Sequence, residues 1–283
     1  MHSFDVTEPG RLDAVVAKEQ GLSRSFVKVL FDQGKVSVNG KVVYKSSNKA
    51  NPGDSITLDF QPAQLKDIPE IDLEILYQDD DCLVIYKPEG VLTHSKGVFN
   101  PEATVSTFIR QFTTGMEDNR GGIVHRLDRV TSGLLICARN EQALTWLQDQ
   151  FAERKAKKTY VAVVEGHLAQ DHAVIDMPIE RNPKKPQTFR VGPNGKPSVT
   201  EYKVLRTNDA YSLIELRPKT GRTHQLRVHM AQLGHPIVGD ELYGAKPAER
   251  VFLHALSLEI TLPNGQLQTF TATLPEVFEH IVA

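Results

Sequence analysis

The sequence predicts an α+β fold: a large, mostly antiparallel sheet preceded by a small module of helices and a hairpin. Three observations support this prediction. Strand-like runs outnumber helical runs after residue 72. The last two runs are joined by Asn264-Gly265, a dipeptide typical of tight hairpins. The first 60 residues change from helical spacing to short alternating runs, which indicates a separate module.

The N-terminal module begins with two predicted helices. Residues 11–20 have helical spacing, and Ser23 is placed to cap a second helix that stops at Gly34. Apolar residues recur one turn apart in the second helix: Phe26, Val27, Leu30 and Phe31. The Asn-Gly pair at 39–40 predicts a type I′ hairpin because both turn positions need positive φ. Residues 55–60 form a further predicted strand.

Residues 61–72 contain two prolines and little periodicity, so we predict a linker there and a main domain over 73–283. Helices are predicted at 103–112 and 141–153. Strands are predicted at 73–77, 83–86, 134–138, 160–165, 200–205, 211–216, 256–262 and 268–274. Many strands with few helices between them favour an antiparallel arrangement over alternating βα units.

Composition excludes few functions. The chain has 283 residues, of which 40% are hydrophobic and 24% charged, which is ordinary for a globular protein. Cys82 and Cys137 lack metal-site spacing and lie beside apolar runs, which indicates buried reduced thiols and a cytoplasmic protein. No apolar run approaches the length of a membrane span, so we expect no membrane partner.

The net charge of −2 conceals strong segregation. Residues 23–49 carry six basic side chains and one acid, whereas residues 61–82 carry one base and seven acids. Basic character returns at 154–158 and 181–190. Local basic patches are the footprint expected for a polyanion, although charged runs are more often simply solvated faces.

Residues 125–133 place one carboxylate, Asp128, between Arg126 and Arg129, just before an apolar run. Flanking guanidinium groups favour the ionised carboxylate, which suits a nucleophile or a base. Taken alone, the segment is equally compatible with a surface ion cluster before a buried strand.

A helix is predicted shortly after residue 221, because Leu226, Met230 and Leu233 recur at helical spacing and Gly234 can end the helix. Arg227 falls off this apolar stripe and is free to point into a cleft. His224 and His229 are five residues apart, which points them in different directions. A two-histidine zinc helix needs a spacing of four, so structural histidines are favoured over a metal site.

The N-terminal module resembles the S4 RNA-binding domain. The matching residues are Arg11-Leu12-Asp13, Ser23-Arg24-Ser25, Gly34-Lys35-Val36, Val38-Asn39-Gly40 and Gly53-Asp54. Arg24 and Lys28 lie one helical turn apart and can share a face that grips phosphates. We expect these two residues and Lys35 to bind RNA.

The main domain resembles the RluA family of pseudouridine synthases. Residues 125–133 (HRLDRVTSG) are similar to the catalytic signature, and residues 221–229 (GRTHQLRVH) are similar to the third motif. Lys158-Thr159-Tyr160 sits where the family carries its active-site tyrosine. The resemblance implies isomerisation of uridine in RNA, by breaking the glycosidic N–C bond, rotating the base and forming a C–C bond, with no cofactor or metal.

The resemblance also implies residue roles. Asp128 is expected to act as nucleophile or base, Arg227 to orient it, and Tyr160 to stack on uracil and take part in proton transfer. A uridine inside a helix must be extruded from the stack, and Arg126 is expected to fill the vacated space. Further substrate-binding residues are expected on the same grounds: His125, Thr131, Arg222 and Leu253.

An S4-like module joined to this catalytic domain is most typical of family members that act on large-subunit ribosomal RNA, so we predict that substrate. We also expect a monomeric enzyme. Transfer RNA is the alternative substrate. A non-catalytic RNA-binding protein in ribosome assembly is the alternative function, and the presence of Asp128, Tyr160 and Arg227 together disfavours it. A metallohydrolase built on the scattered histidines is a third hypothesis.

Overall fold

The computed structural model describes residues 2–22, 24–59, 70–94, 102–116 and 121–283. The chain falls into two compact units, of which the larger contains residues 72–93 and 105–283 and the smaller contains the chain up to residue 71. The predicted cap at Ser23, the end of the predicted strand at Phe60 and most of the predicted linker lie outside the described residues.

The smaller unit contains two helices and six short strands in its described residues. In chain order they are β1 (His2–Asp5), β2 (Gly10–Arg11), α1 (Leu12–Gln20), α2 (Arg24–Asp32), β3 (Val36–Val38), β4 (Lys41–Val42), β5 (Lys49–Ala50) and β6 (Ser55–Leu58). One sheet has the order β1-β6-β3-β4, and β2 pairs with β5.

The apolar stripe predicted on α2 forms much of the core of this unit. All four of its members are buried: Phe26, Val27, Leu30 and Phe31. The predicted hairpin joins β3 to β4, with φ of 50° at Asn39 and 78° at Gly40, as a type I′ turn requires. The strand β1, by contrast, has no clear alternation in the sequence and was not predicted.

The described residues of the larger unit add eleven strands and four α-helices. The strands are β7 (Ile75–Gln78), β8 (Cys82–Lys87), β9 (Ser132–Ala138), β10 (Lys157–Glu165), β11 (His172–Asp176), β12 (Ile179–Arg181), β13 (Phe189–Val191), β14 (Val199–Thr207), β15 (Tyr211–Pro218), β16 (Leu253–Thr261) and β17 (Leu267–Thr271). The helices are α3 (Val105–Ile109), α4 (Glu141–Ala152), α5 (Gln225–Gln232) and α6 (Val277–His280).

Nine of these strands form one sheet. Its order is β11-β14-β15-β10-β16-β9-β8-β7, and β17 also pairs with β16. The pairing of β16 with β9 is parallel, and the other pairings are antiparallel. The predicted α+β class with a mostly antiparallel sheet is therefore confirmed.

Two features of the larger unit differ from the prediction. The strands β11, β12 and β13 were not predicted, because β11 is an edge strand in which Val174 is exposed and the other two have only three residues each. The helix predicted over 103–112 is an α-helix only to Ile109 and continues as a 3-10 turn. Among the described residues, no helix has the length and apolar character needed to cross a bilayer.

The parallel pairing of β9 with β16 depends on Gly133. Ser132 lies opposite His254 and Gly133 opposite Ala255. Gly133 has a φ of 113°, and a Cβ added there would lie 2.2 Å from the carbonyl oxygen of Ala255. Both the backbone conformation and the close approach of the two strands therefore require glycine.

We expect Gly133→Ala to lower the free energy of unfolding by about 2–4 kcal/mol, from the strained φ and the backbone clash together. Thermal and urea unfolding of the full chain measure this change. Gly265→Ala is the matched control, because Gly265 has a φ of 83° with no atom within 4 Å of an added Cβ. The control should lose only about 1–2 kcal/mol. Equal losses in the two variants would show that the strand approach contributes nothing.

Candidate active site

A cavity of about 460 Å³ lies in the larger unit. Its walls include every residue of this unit that the sequence singled out for catalysis or substrate binding: His125, Arg126, Asp128, Thr131, Tyr160, Arg222, Arg227 and Leu253. Separate elements supply them, since Tyr160 lies on β10, Arg227 on α5 and Asp128 in the loop before β9. Folding thus brings together side chains that are up to 128 residues apart, His125 and Leu253 being the extremes.

Arg227 is buried and faces two carboxylates. Its Nε and Nη2 donate to the two oxygens of Asp240 at 2.6 and 2.7 Å. Its Nη1 lies 3.5 Å from Oδ2 of Asp128. The bidentate pair fixes the guanidinium plane, so the remaining nitrogen is held toward Asp128 without using up the Asp128 carboxylate.

The loop that carries Asp128 is held by hydrogen bonds on both sides. On one side, Thr93 Oγ1 donates to the Leu127 carbonyl at 2.8 Å and accepts from the Leu127 amide at 3.2 Å. On the other side, the Gly90 amide donates to the Arg129 carbonyl at 2.8 Å. Lys87 Nζ also approaches that carbonyl, at 3.4 Å. The Asp128 backbone is therefore positioned from both neighbours.

Tyr160 lies beside a β-bulge between Thr159 and Tyr160, where the register of β10 against β16 shifts. Burial raises the pKa of the Tyr160 hydroxyl, and the nearby Asp128 charge raises it further. The phenol therefore keeps its proton at neutral pH. Tyr160 lines the cavity.

The remaining predicted substrate-binding residues differ in their exposure and in their contacts. His125 accepts a hydrogen bond from the Ile136 amide at 3.2 Å and stacks on Phe151. Burial lowers its pKa to about 3, so it is neutral at physiological pH. Arg126 is exposed at the cavity wall, whereas Thr131 is buried. Leu253 is buried at the start of β16. Arg222 Nε donates to the Pro197 carbonyl at 3.2 Å.

Each predicted RNA-binding cation of the smaller unit has a carboxylate partner. Arg24 pairs with Asp13 at 3.1 Å, Lys28 with Asp32 at 3.1 Å and Lys35 with Asp59 at 2.9 Å. Their side chains are 43–65% exposed, so all three reach solvent. A phosphate that binds them competes with these carboxylates.

Asp13 is the buried member of this group. Arg11 donates to both of its oxygens, at 3.1 and 2.9 Å, and Arg24 adds a third bond at 3.1 Å. Hydrogen bonding from Arg11, supported by Arg24, lowers the pKa of Asp13 to about 2. Arg24 therefore supports the fold of the smaller unit in addition to any contact with RNA.

Sequence reasoning assigned no role to three polar residues around the site. Lys87 is fully buried at the end of β8, and Asp240 and Tyr243 contact Arg227. A lysine that ends an apolar run and an aspartate that follows the third motif were visible signals. Tyr243 gave none, because its contacts with the site are made only by folding.

His229 is satisfied within the fold, through Thr200 Oγ1 at 2.9 Å and the Met177 carbonyl at 3.0 Å. In the described part of the chain, no three His, Cys, Asp or Glu side chains are grouped so as to hold a metal ion.

Comparison with known proteins identifies the family. The RNA pseudouridylate synthase family model matches residues 81–232, and the S4 domain model matches residues 10–56. A protein of Haemophilus ducreyi named ribosomal large subunit pseudouridine synthase D is 35% identical over 96% of this chain and 90% of its own length. A protein of Yersinia pestis with the same name is 37% identical over 94% of this chain and 88% of its own length. This chain belongs to the RNA pseudouridylate synthase family.

A solved structure supports the same assignment. Human RNA pseudouridylate synthase domain containing 1 is 32% identical, covers 71% of this chain and 83% of its own, and has a TM-score of 0.61. The resemblance to the RluA family with an S4 domain is thus confirmed. The protein is an RNA pseudouridine synthase, an isomerase that has RNA as its substrate.

In this pseudouridine synthase, we expect Asp240→Ala to lower the free energy of unfolding by about 3–5 kcal/mol, because it leaves the Arg227 guanidinium buried without its bidentate partner. Chemical denaturation of the full chain measures the loss. Asp209→Ala, at an exposed position outside the cavity, is the control. The double variant Arg227→Met/Asp240→Leu should recover part of the stability, since it removes both charges. A double variant less stable than Asp240→Ala would contradict this account.

We also expect the smaller unit to lose stability in acid through Asp13. Its folded pKa of about 2 lies below its ordinary 3.8, so the stabilisation is complete above pH 4 and is lost as the pH falls through 2. Because Arg11 and Arg24 are more than half exposed, the loss should be about 1–2 kcal/mol.

Hydrogen-exchange mass spectrometry of peptides from α1, corrected for intrinsic exchange rates, tests this between pH 2 and 5. Asp13→Asn should flatten the pH dependence. Asp32→Asn, which removes only the exposed pair with Lys28, should leave it unchanged. An unaltered pH dependence in Asp13→Asn would exclude Asp13 as its source.

Proposed function

We propose that this enzyme converts specific uridines of large-subunit ribosomal RNA into pseudouridine, with Asp128 as the group that acts on the nucleotide. The observation that carries the residue assignment is the 3.5 Å approach of Arg227 Nη1 to Asp128 Oδ2 at the wall of the cavity that Tyr160 also lines. The proposed substrate rests on the relatives in Haemophilus ducreyi and Yersinia pestis, which carry ribosomal large subunit pseudouridine synthase in their names.

We propose a role for each residue that is compatible with its place at the cavity wall. Asp128 attacks a carbon or removes a proton, and Arg227, held by Asp240, orients the carboxylate by charge-assisted interaction. Tyr160 stacks on uracil and, as a protonated phenol, takes part in proton transfer at C5. Arg126, exposed at the wall, fills the space of the extruded uridine. The further substrate contacts are proposed at His125, Thr131, Arg222 and Leu253.

We propose that residues 1–60 bind RNA through Arg24, Lys28 and Lys35, that 61–72 link the parts, and that 73–283 carry out catalysis. We also propose that the enzyme acts as a monomer. Two free, buried cysteines and an RNA substrate support a cytoplasmic location.

Asp128→Asn tests the catalytic assignment, because the amide keeps the shape of the side chain but is neither a nucleophile nor a base. We expect pseudouridine formation on a large-subunit ribosomal RNA transcript to fall by about 10²–10⁴-fold or more. Mass spectrometry of digested RNA measures the product, and filter binding should show unchanged RNA affinity. Asp209→Asn, exposed and outside the cavity, serves as the control. Wild-type turnover in Asp128→Asn would contradict the assignment.

Pseudouridine mapping across total RNA, with and without the gene, tests the substrate. Sites lost only from large-subunit ribosomal RNA support the proposal. If every lost site lies in transfer RNA, the transfer RNA alternative replaces it.

A further inference from the structure

His224 joins the Asp128 carboxylate to a residue outside the family motifs. Its Nε2 lies 3.8 Å from Asp128 Oδ2, and its Nδ1 lies 2.7 Å from the hydroxyl of Tyr243. Tyr243 belongs to a 3-10 turn over Glu241–Tyr243, directly after Asp240. The imidazole therefore bridges two elements that already meet at Arg227, whose guanidinium lies 5.0 Å from the Tyr243 ring centre.

The hydrogen bonds of Tyr243 favour one of the two neutral tautomers of His224. The backbone amide of Phe189 donates to the Tyr243 oxygen at 3.0 Å. With that acceptor position in use, the single phenol proton is free to point at Nδ1 of His224. Burial raises the pKa of Tyr243, so this proton is present at neutral pH. Nδ1 then accepts, and in a neutral imidazole the proton lies on Nε2.

The opposite end of the ring requires the same tautomer. A carboxylate is only an acceptor, so a lone pair on Nε2 facing Asp128 would be repelled, whereas an N–H is attracted. Burial lowers the pKa of His224, and the positive charges of Arg227 and Arg126 lower it further. The negative charges of Asp128 and Asp240 act in the opposite direction. The ring is thus a neutral donor toward Asp128 at physiological pH.

The backbone of His224 argues against a purely structural role. Its φ of 56° lies in the left-handed region, which few residues other than glycine adopt and which strains a residue that carries a Cβ. His224 is the N-cap residue of α5, yet its side chain makes no capping hydrogen bond. Strain of this kind persists at sites where the side chain is needed for something else.

We infer that His224, with its tautomer fixed by Tyr243, is a positioning residue that presents an Nε2–H to Asp128 as a second donor beside Arg227. This inference rests on the proposed function, in which Asp128 acts on the uridine. At 3.8 Å the interaction is electrostatic, and a shift of about 1 Å brings it to hydrogen-bond length, as happens when substrate tightens an active site.

Two substitutions of His224 separate this role from a structural one. In Gln the terminal amide nitrogen takes the place of Nε2 and can donate to Asp128. In Asn the amide takes the place of Nδ1 and can bond only to Tyr243. Asn suits the left-handed backbone better, so His224→Asn should be the more stable variant in thermal unfolding.

Activity should follow the reverse order. We expect kcat of His224→Asn to be about 10-fold or more below that of His224→Gln, with similar KM for the RNA, because the lost donor faces the reacting carboxylate. A structural role predicts that the more stable Asn variant is also the more active. Equal or higher kcat in His224→Asn would overturn the inference.

A measurement that does not depend on turnover tests the tautomer. Nitrogen-15 NMR of histidine-labelled full-length protein should show His224 protonated at Nε2 and not at Nδ1. Tyr243→Phe, which keeps the ring against Arg227 but removes the hydroxyl, should give a mixture of tautomers and a lower kcat. A proton on Nδ1 in the wild type would overturn the inference.

The activity of Asp128→Asn shows whether the proposed role of Asp128 or only the inference about His224 is wrong. Full activity in Asp128→Asn overturns the proposed role of Asp128 and the inference with it. An inactive Asp128→Asn combined with His224→Asn at least as active as His224→Gln overturns the inference alone.

Discussion

The candidate site depends on one buried cation. Arg227 is 5% exposed, and its position requires a carboxylate that stabilises it without occupying the whole guanidinium. Asp240, 1% exposed, meets this requirement by accepting from Nε and Nη2. The third nitrogen remains for Asp128. An isolated buried charge of either sign is costly, so these three residues are interdependent, and none is well placed without the others.

A buried lysine positions the same loop from the sheet. Lys87 ends β8 with no exposed surface, and its Nζ donates to the carbonyls of Pro88 and Val91 at 2.8 and 2.9 Å. Burial lowers its pKa to about 7, while the charges of Asp128 and Glu89 act in the opposite direction. Together with the contact to the Arg129 carbonyl, this lysine connects the end of a core strand to the residue after Asp128. The rigidity of the sheet is thereby transmitted to the loop that carries Asp128.

The sequence carried enough information for the class of fold, and the residues that it singled out for catalysis or substrate binding in the larger unit line one cavity. Periodicity and turn residues predicted α2, the β3–β4 hairpin and most strands of the large sheet, because each depends on a local pattern. The short strands β12 and β13 lacked such a pattern. Phe189, on β13, nevertheless fixes Tyr243 through its backbone amide, a contact between residues 54 apart. No local signal records that contact.

The lack of a local sequence signal also explains why Arg24 and His224 make contacts that were not predicted. Arg24 was expected to serve RNA, and the structure also gives it a bond to the buried Asp13, because the partner lies on another helix. His224 was grouped with the structural histidines, since its spacing from His229 excluded only a metal helix. Its relation to Asp128 depends on a left-handed backbone at one residue, which propensity alone does not predict.

The electrostatics of the cavity constrain the proposed chemistry of Tyr160. Its phenol stays protonated because it is buried and because Asp128 opposes a second negative charge nearby. A protonated phenol cannot remove the C5 proton of uracil unless it first gives up its own. Within the proposed mechanism, Tyr160 therefore begins the reaction as a stacking surface and a hydrogen-bond donor. Isomerisation moves one proton from C5 to N1 of the base, so Tyr160 can take the C5 proton once its own proton has gone to N1. Conversion of Asp128 to a neutral species by bond formation removes the negative charge that opposes this loss.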